Sequence, residues 1–186
     1  MDNDFLISAK RLFGYYKDLA DKSIAQVSEE HLFVQVNEDS NSIALVIQHL
    51  AGNMLSRWTD FLTSDGEKEW RNRDSEFEVK FDNKIKLLEY WEKGWSCLFA
   101  ALEPLSAVDL EKIIYIRNEG HTVMDAILRQ LAHYPYHVGQ IVYAAKQLST
   151  EEWKSLSIPR NKSGDFNAVK FSNEKSITHF TERKNE

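Results

Sequence analysis

The sequence predicts an all-α domain folded as a four-helix bundle. Three observations predict it. Apolar residues recur at steps of three and four in four separate segments, which is the mark of one buried helix face. Only 7 Gly and 3 Pro occur in 186 residues, too few for the many tight turns of an all-β chain. The length fits one domain, which at this size buries roughly 70% of the surface its unfolded chain exposes.

The first helix is expected over about Asp4–Ala20, where Phe5, Ala9, Leu12, Phe13, Tyr16 and Leu19 form the stripe. The second is expected over about Ser42–Leu62, with Ile43, Ile47, Leu50, Met54, Trp58 and Phe61 on one face. Asn41 or Ser42 can cap its start, because a short polar side chain accepts the free N–H groups there. The third covers about Asp82–Leu102, with Leu88, Trp91, Trp95, Leu98 and Leu102 in its stripe and Pro104 just beyond its end. The fourth covers about Thr122–Leu148, along Ile127, Leu131, Tyr134, Val138, Ile141, Ala145 and Leu148.

The connections read differently from one another. Ser28–His31 fits one helical turn, and Lys112–Ile116 is a short β-rich run. The stretch from Thr63 to Lys80 is charged, with a turn at Asp65–Gly66, and reads as a solvated surface or, alternatively, as a lid. Residues 1–150 form the expected helical domain. Residues 151–171 form an extension that packs on it, with a short helix around Trp153 and a break at Asn161–Gly164. Residues 172–186 form a polar tail expected to be mobile.

Composition narrows the partners. The chain carries 23 basic and 29 acidic side chains, scattered rather than striped, which argues against nucleic acid and against an anionic membrane. No segment approaches the run of ~20 apolar residues that spans a bilayer. Met1-Asp2-Asn3-Asp4 is acidic and precedes no apolar run, so no signal peptide is expected. One cysteine, Cys97, precludes an intrachain disulfide and points to the cytoplasm. Cys97 itself lies in an apolar stretch and reads as core.

The histidines carry the chemistry. His133 and His137 are four residues apart, so on a helix they share a face and can reach one centre. Zinc needs imidazole nitrogens at about 2.0–2.1 Å. Such a pair alone is a weak signal, since core histidines satisfied by hydrogen bonds show the same spacing. His49 strengthens it, because it borders the apolar face of a second helix and bundles build metal sites from facing helices. Three neutral ligands leave a position open, as in catalytic sites. Pro135 falls between the two histidines, and predicts a kink or a break there. His31 and His179 read as solvated, and His121 as a cap or rim residue.

These residues resemble the DinB/YfiT-like superfamily of metal-dependent four-helix proteins over about Asp4–Leu148. The resemblance rests on His133-Tyr134-Pro135-Tyr136-His137-Val138-Gly139-Gln140-Ile141 and on Ile47-Gln48-His49-Leu50. Further pieces, Arg57-Trp58-Thr59-Asp60, Arg71-Asn72-Arg73-Asp74 and Ser157-Ile158-Pro159-Arg160, resemble a branch of unknown function. Pro135 departs from many relatives. The resemblance implies an up-down-down-up bundle, a homodimer, and His49, His133 and His137 as ligands of a divalent ion such as zinc or nickel. It also implies a low-molecular-weight thiol as a cofactor, because characterised relatives include thiol-dependent transferases and isomerases.

The expected function is therefore a divalent-metal-dependent enzyme acting on a small molecule, by thiol S-transfer or a hydrolase-like step. A non-catalytic metal-binding or stress-response dimeric module is the alternative. A plain helical dimer with satisfied core histidines is a third reading. Asn53 and Gln140 are expected to orient an imidazole or a ligand. Arg57, two turns along from His49, can meet an anionic substrate or form a salt bridge. No acidic residue stands out as a general base, and Asp125 falls on the wrong side.

Overall fold

A computed structural model describes residues 4–182. Residues 1–3, and with them most of the acidic N-terminus, lie outside the described residues, as do residues 183–186 at the end of the expected tail.

The described residues are mostly helical, with four long helices and one small sheet. Helix α1 (Asp4–Ile24) buries Leu6, Ala9, Phe13, Ala20 and Ile24. It runs four residues past the expected end because Ser23 and Ile24 still bury, and Ser23 Oγ donates to the Leu19 carbonyl at 2.8 Å. Helix α2 (Glu29–Leu32) is the expected single turn, capped by Ser28.

Helix α3 (Ile43–Trp58) begins at Ser42, whose hydroxyl accepts from Leu45 N at 3.2 Å. It buries every residue except Leu55, so it runs through the middle of the molecule. It ends at Trp58 rather than Leu62 because Thr59 is extended and Asp60 is left-handed, at φ 47°. Helix α4 (Lys84–Leu102) is capped by Asn83, which accepts from Lys86 N at 2.9 Å. Helix α5 (Val123–Leu148) is capped by Thr122, which accepts from Asp125 N at 3.0 Å.

Pro135 does not break α5, and the helix is continuous from Val123 to Leu148. A proline here removes one helix hydrogen bond, at ~3 kcal/mol or more. Tyr134 and Val138 beside it are fully buried, and their packing offsets that cost.

Strand β1 (Ile113–Ile116) matches the expected β-rich run. Its antiparallel partner β2 (Glu119–Thr122) was not foreseen. Arg117 and Asn118 join them with φ of 57° and 61°, the left-handed pair of a tight two-residue hairpin. The Asp65 carboxylate accepts from the backbone N–H of both turn residues at 2.8 Å, tying this hairpin to the 59–83 connection.

The long helices pack as neighbours: α3 against α4 and α5, and α1 against α5 and α4. Trp91, Trp95, Tyr134 and Phe13 fill the shared core. Gly94 permits the α3–α4 approach, since a Cβ there would stand 2.9 Å from Ala51 Cα.

After α5 the expected short helix around Trp153 does not form. Residues 149–162 run irregularly, and Lys154 N donates to Gln26 Oε1 at 2.7 Å, docking the extension on the end of α1. The expected break holds as far as Lys162, and helix α6 (Ser163–Ser172), which was not foreseen, starts at its last two residues, with Lys162 paired to Asp165 at 2.9 Å across its first turn. It buries no residue. A 3-10 turn at Phe180–Glu182 returns to α1, with Phe180 edge-on to Tyr15 at 5.4 Å and Glu182 2.7 Å from Arg11.

Among the described residues, no helix is long and apolar enough to cross a membrane.

Candidate metal centre

Three helical turns position the histidines. His49 sits mid-way along buried α3, and His133 and His137 lie one turn apart on α5, which packs against it. The ring centroids are 4.8 Å apart for His133 and His137, 5.0 Å for His49 and His137, and 5.6 Å for His49 and His133. One ligand nitrogen from each lies within 4.8 Å of the others. His49 is 5% exposed, whereas His133 and His137 are half-buried, so the cluster has a wall and an open side.

Each imidazole has its Nδ1 engaged. His133 Nδ1 lies 3.2 Å from Gln130 Oε1, and His137 Nδ1 lies 2.8 Å from Gln140 Oε1, each pair three residues apart on α5. His49 Nδ1 lies 2.9 Å from Glu76 Oε2. Nε2 is thus the nitrogen each ring leaves uncommitted. Burial, followed by the neighbouring His137 and His49, pushes the His133 pKa down to about 3. Burial also lowers His137, and His49 adds to it, against the opposing hydrogen bond that His137 makes to Gln140 Oε1. Both rings are therefore neutral at ordinary pH, the form that binds a metal.

The other expected residues divide. Gln140 contacts an imidazole, but Asn53 does not serve one: its Oδ1 accepts from Tyr134 Oη at 3.1 Å. Tyr134 Oη in turn accepts from Trp58 Nε1 at 3.0 Å, and burial raises its pKa. Arg57 is 8% exposed, and of its two expected roles it shows the salt bridge, to the partly buried Glu67. Its Nη1 donates to the Gly66 carbonyl and to Glu67 Oε2, the latter at 3.2 Å, while Nε is buried with no partner. Burial, with Arg71 nearby, lowers its pKa.

Glu76 was missed by sequence reasoning. It comes from a 3-10 turn, Asp74–Phe77, in the connection expected to be a solvated surface. That segment folds inward. Glu76 is 3% exposed, and Phe77 stacks on His49 with centroids 5.1 Å apart. Buried Gln48 holds the turn, donating through Nε2 to the carbonyls of Glu76 and Glu78 at 2.8 Å and accepting from Lys80 N at 3.1 Å. Arg71, with 2% of its side chain exposed, donates to Glu76 through Nε at 2.8 Å and Nη2 at 3.0 Å. Burial opposes ionisation of Glu76, but the hydrogen bonds from His49 and Arg71 outweigh it and hold its pKa below the ordinary value.

One sequence signal did point here. Gly52 lies inside a helix, where Gly costs ~1 kcal/mol against Ala, so its presence asks for a close approach. A Cβ at Gly52 would stand 2.6 Å from Glu76 Oε1. Among the remaining histidines, His31 and His121 are not fully solvated, since His31 Nδ1 and His121 Nε2 are buried without partners.

Comparison with known proteins adds a family and no activity. No curated protein and no solved structure matches the chain. One family matches residues 1–162, and its description is "Protein of unknown function (DUF1572)". With most of its length matched, including both helices that carry the histidines, the chain belongs to the DUF1572 family.

Proposed function

We propose that this protein is a divalent-metal-dependent enzyme of the DinB/YfiT-like superfamily, with its four long helices forming that superfamily's bundle and His49, His133 and His137 as the metal ligands. The observation that carries the reading is the convergence of three imidazoles, with one ring nitrogen of each within 4.8 Å of the others. The donor set fits the ion. Three neutral nitrogen ligands suit zinc or nickel. The engaged Nδ1 atoms fix which nitrogen each ring would offer.

A bound ion would supply Lewis-acid chemistry, lowering the pKa of a thiol or water held at it towards neutrality. The remaining work belongs to the chain. Gln130 and Gln140 set the rings of His133 and His137 from within α5. Half-buried Phe77 stacks on one face of His49 and shields that side of the ring. The half-buried edge of His133 and His137 is the side from which a small substrate can approach. Thiol S-transfer is the reaction class proposed, with a hydrolase-like step as its neighbour.

One observation favours the non-catalytic metal-binding module instead. The carboxylate that touches His49, Glu76, is committed to Arg71 and His49 and is not available as a general base. Zinc- or nickel-loaded protein assayed with several small thiols and an electrophilic acceptor separates the two. Turnover that is lost in His137→Ala supports the enzyme. A loaded protein with no turnover across those thiols supports the module.

A further inference from the structure

We propose that Glu76 is a positioning residue for His49, fixing its imidazole with Nδ1 protonated and Nε2 free to bind an ion. The inference rests on the metal reading above and concerns how one ligand of that site is held.

Three observations carry it. First, the two Glu76 oxygens both accept from Arg71, and Oε2 also faces His49 Nδ1 at 2.9 Å. An ionised carboxylate only accepts, so Nδ1 must be the donor and carry the proton. Second, His49 differs from its partners in the origin of this contact. His133 and His137 are steadied by glutamines of their own helix, whereas His49 depends on a residue 27 positions away in a connecting segment. Third, the sequence makes room for that carboxylate. Gly52, one turn beyond His49 on α3, leaves the space that Glu76 Oε1 occupies, with Tyr90 Oη closing the same space 3.3 Å from where a Cβ would be. Gln48, immediately before His49, pins the segment through its backbone. Gln48 and Gly52, on either side of one ligand, therefore both serve the placement of one carboxylate. A carboxylate behind a ligating imidazole raises its basicity and sets its orientation, and removing such a partner costs metal affinity.

A simpler role would be a staple that holds the 63–80 segment to α3. A staple alone would lower the melting temperature of a variant and leave both metal affinity and the His49 ring unchanged.

Two variants separate these roles. Glu76→Gln keeps the shape and removes the charge. Gly52→Ala keeps the carboxylate and displaces it, and alanine favours the helix, so this variant tests the idea even if the first fails to fold. Zinc affinity is measured by competition with a chromophoric chelator, with circular dichroism to confirm the fold. Protein labelled with 15N-histidine reads each ring's tautomer without any metal. We expect each folded variant to bind zinc about 10- to 100-fold more weakly than wild type. We expect His49 of the metal-free wild type to be protonated at Nδ1, and its ring signals to be the ones that move in the variants. A folded variant that binds zinc within about threefold of wild type, or a wild-type His49 protonated at Nε2, overturns the proposal. Wild-type protein that takes up no zinc overturns the metal reading instead, and the ring spectrum still decides whether Glu76 sets the tautomer.

Discussion

Tyr134 and Trp58 meet in the core with Tyr134 Oη 3.0 Å from Trp58 Nε1, joining α5 to α3 one residue from His133. The same hydroxyl donates to Asn53 Oδ1, so a single phenol satisfies two buried polar groups. Tyr134 is fully buried and packs on Phe13 and Trp95. It thereby sets the spacing of the two helices whose histidines converge. We predict that Tyr134→Phe folds but loses about 1–3 kcal/mol, the cost of leaving a buried group unpaired. Thermal or urea unfolding measures it, and an unchanged midpoint would mean that Trp58 and Asn53 find other partners.

Gly94 makes the second prediction. Alanine is the better helix residue by ~1 kcal/mol, but its Cβ would meet the Ala51 backbone at 2.9 Å. Backbone cannot rotate away as a side chain can. Gly94→Ala should therefore destabilise by about 1–3 kcal/mol through overpacking, against its propensity. A melting temperature above wild type would show that α3 and α4 separate without strain.

Pro135 makes the third. Because α5 is continuous through it, alanine restores a hydrogen bond and removes a clash without altering the path. Pro135→Ala should stabilise by about 1–2 kcal/mol, somewhat less than the full ~3 kcal/mol because the unfolded chain also gains freedom. Loss of stability in unfolding measurements would mean that proline contributes packing that the helix needs.

The fourth concerns pH, in the metal-free protein. His133 titrates near 3 when folded and near 6.5 when unfolded, and His137 is lowered in the same direction. Between those values the unfolded chain takes up protons that the folded one refuses, so stability falls as pH drops below about 6.5. Glu76 acts in the same sense lower down, since its folded pKa is depressed and its stabilising charge is lost as pH falls below the ordinary carboxylate value of 4.5. Melting in chelator from pH 7.5 to 5 should show a steady decline. A midpoint that is flat or rises as pH falls through 6 contradicts it.

The helices were legible because each buries one periodic face, and the start of α3 was legible because Ser42 caps it. The histidines could be sorted because a helix fixes which residues share a face. What escaped the sequence depended on contacts without a local period. Glu76 reaches His49 from 27 residues away, out of a segment whose charge reads as surface, and only the mid-helix Gly52 hinted at it. Asn53 shares the face of His49, but its oxygen goes to Tyr134 on another helix. Strand β2 is polar, Glu-Gly-His-Thr, and exists because Asp65 fastens the turn before it. Helix α6 buries nothing, so it left no apolar stripe to read.

The most direct measurement is elemental analysis of untagged protein purified without chelator, beside His49→Ala and His137→Ala. We predict about one divalent ion per chain in the wild type, and a folded, metal-free protein for each variant. Wild-type protein that holds no ion and cannot be reloaded with zinc or nickel, or variants that hold as much as the wild type, would contradict the assignment of His49, His133 and His137 as a metal centre.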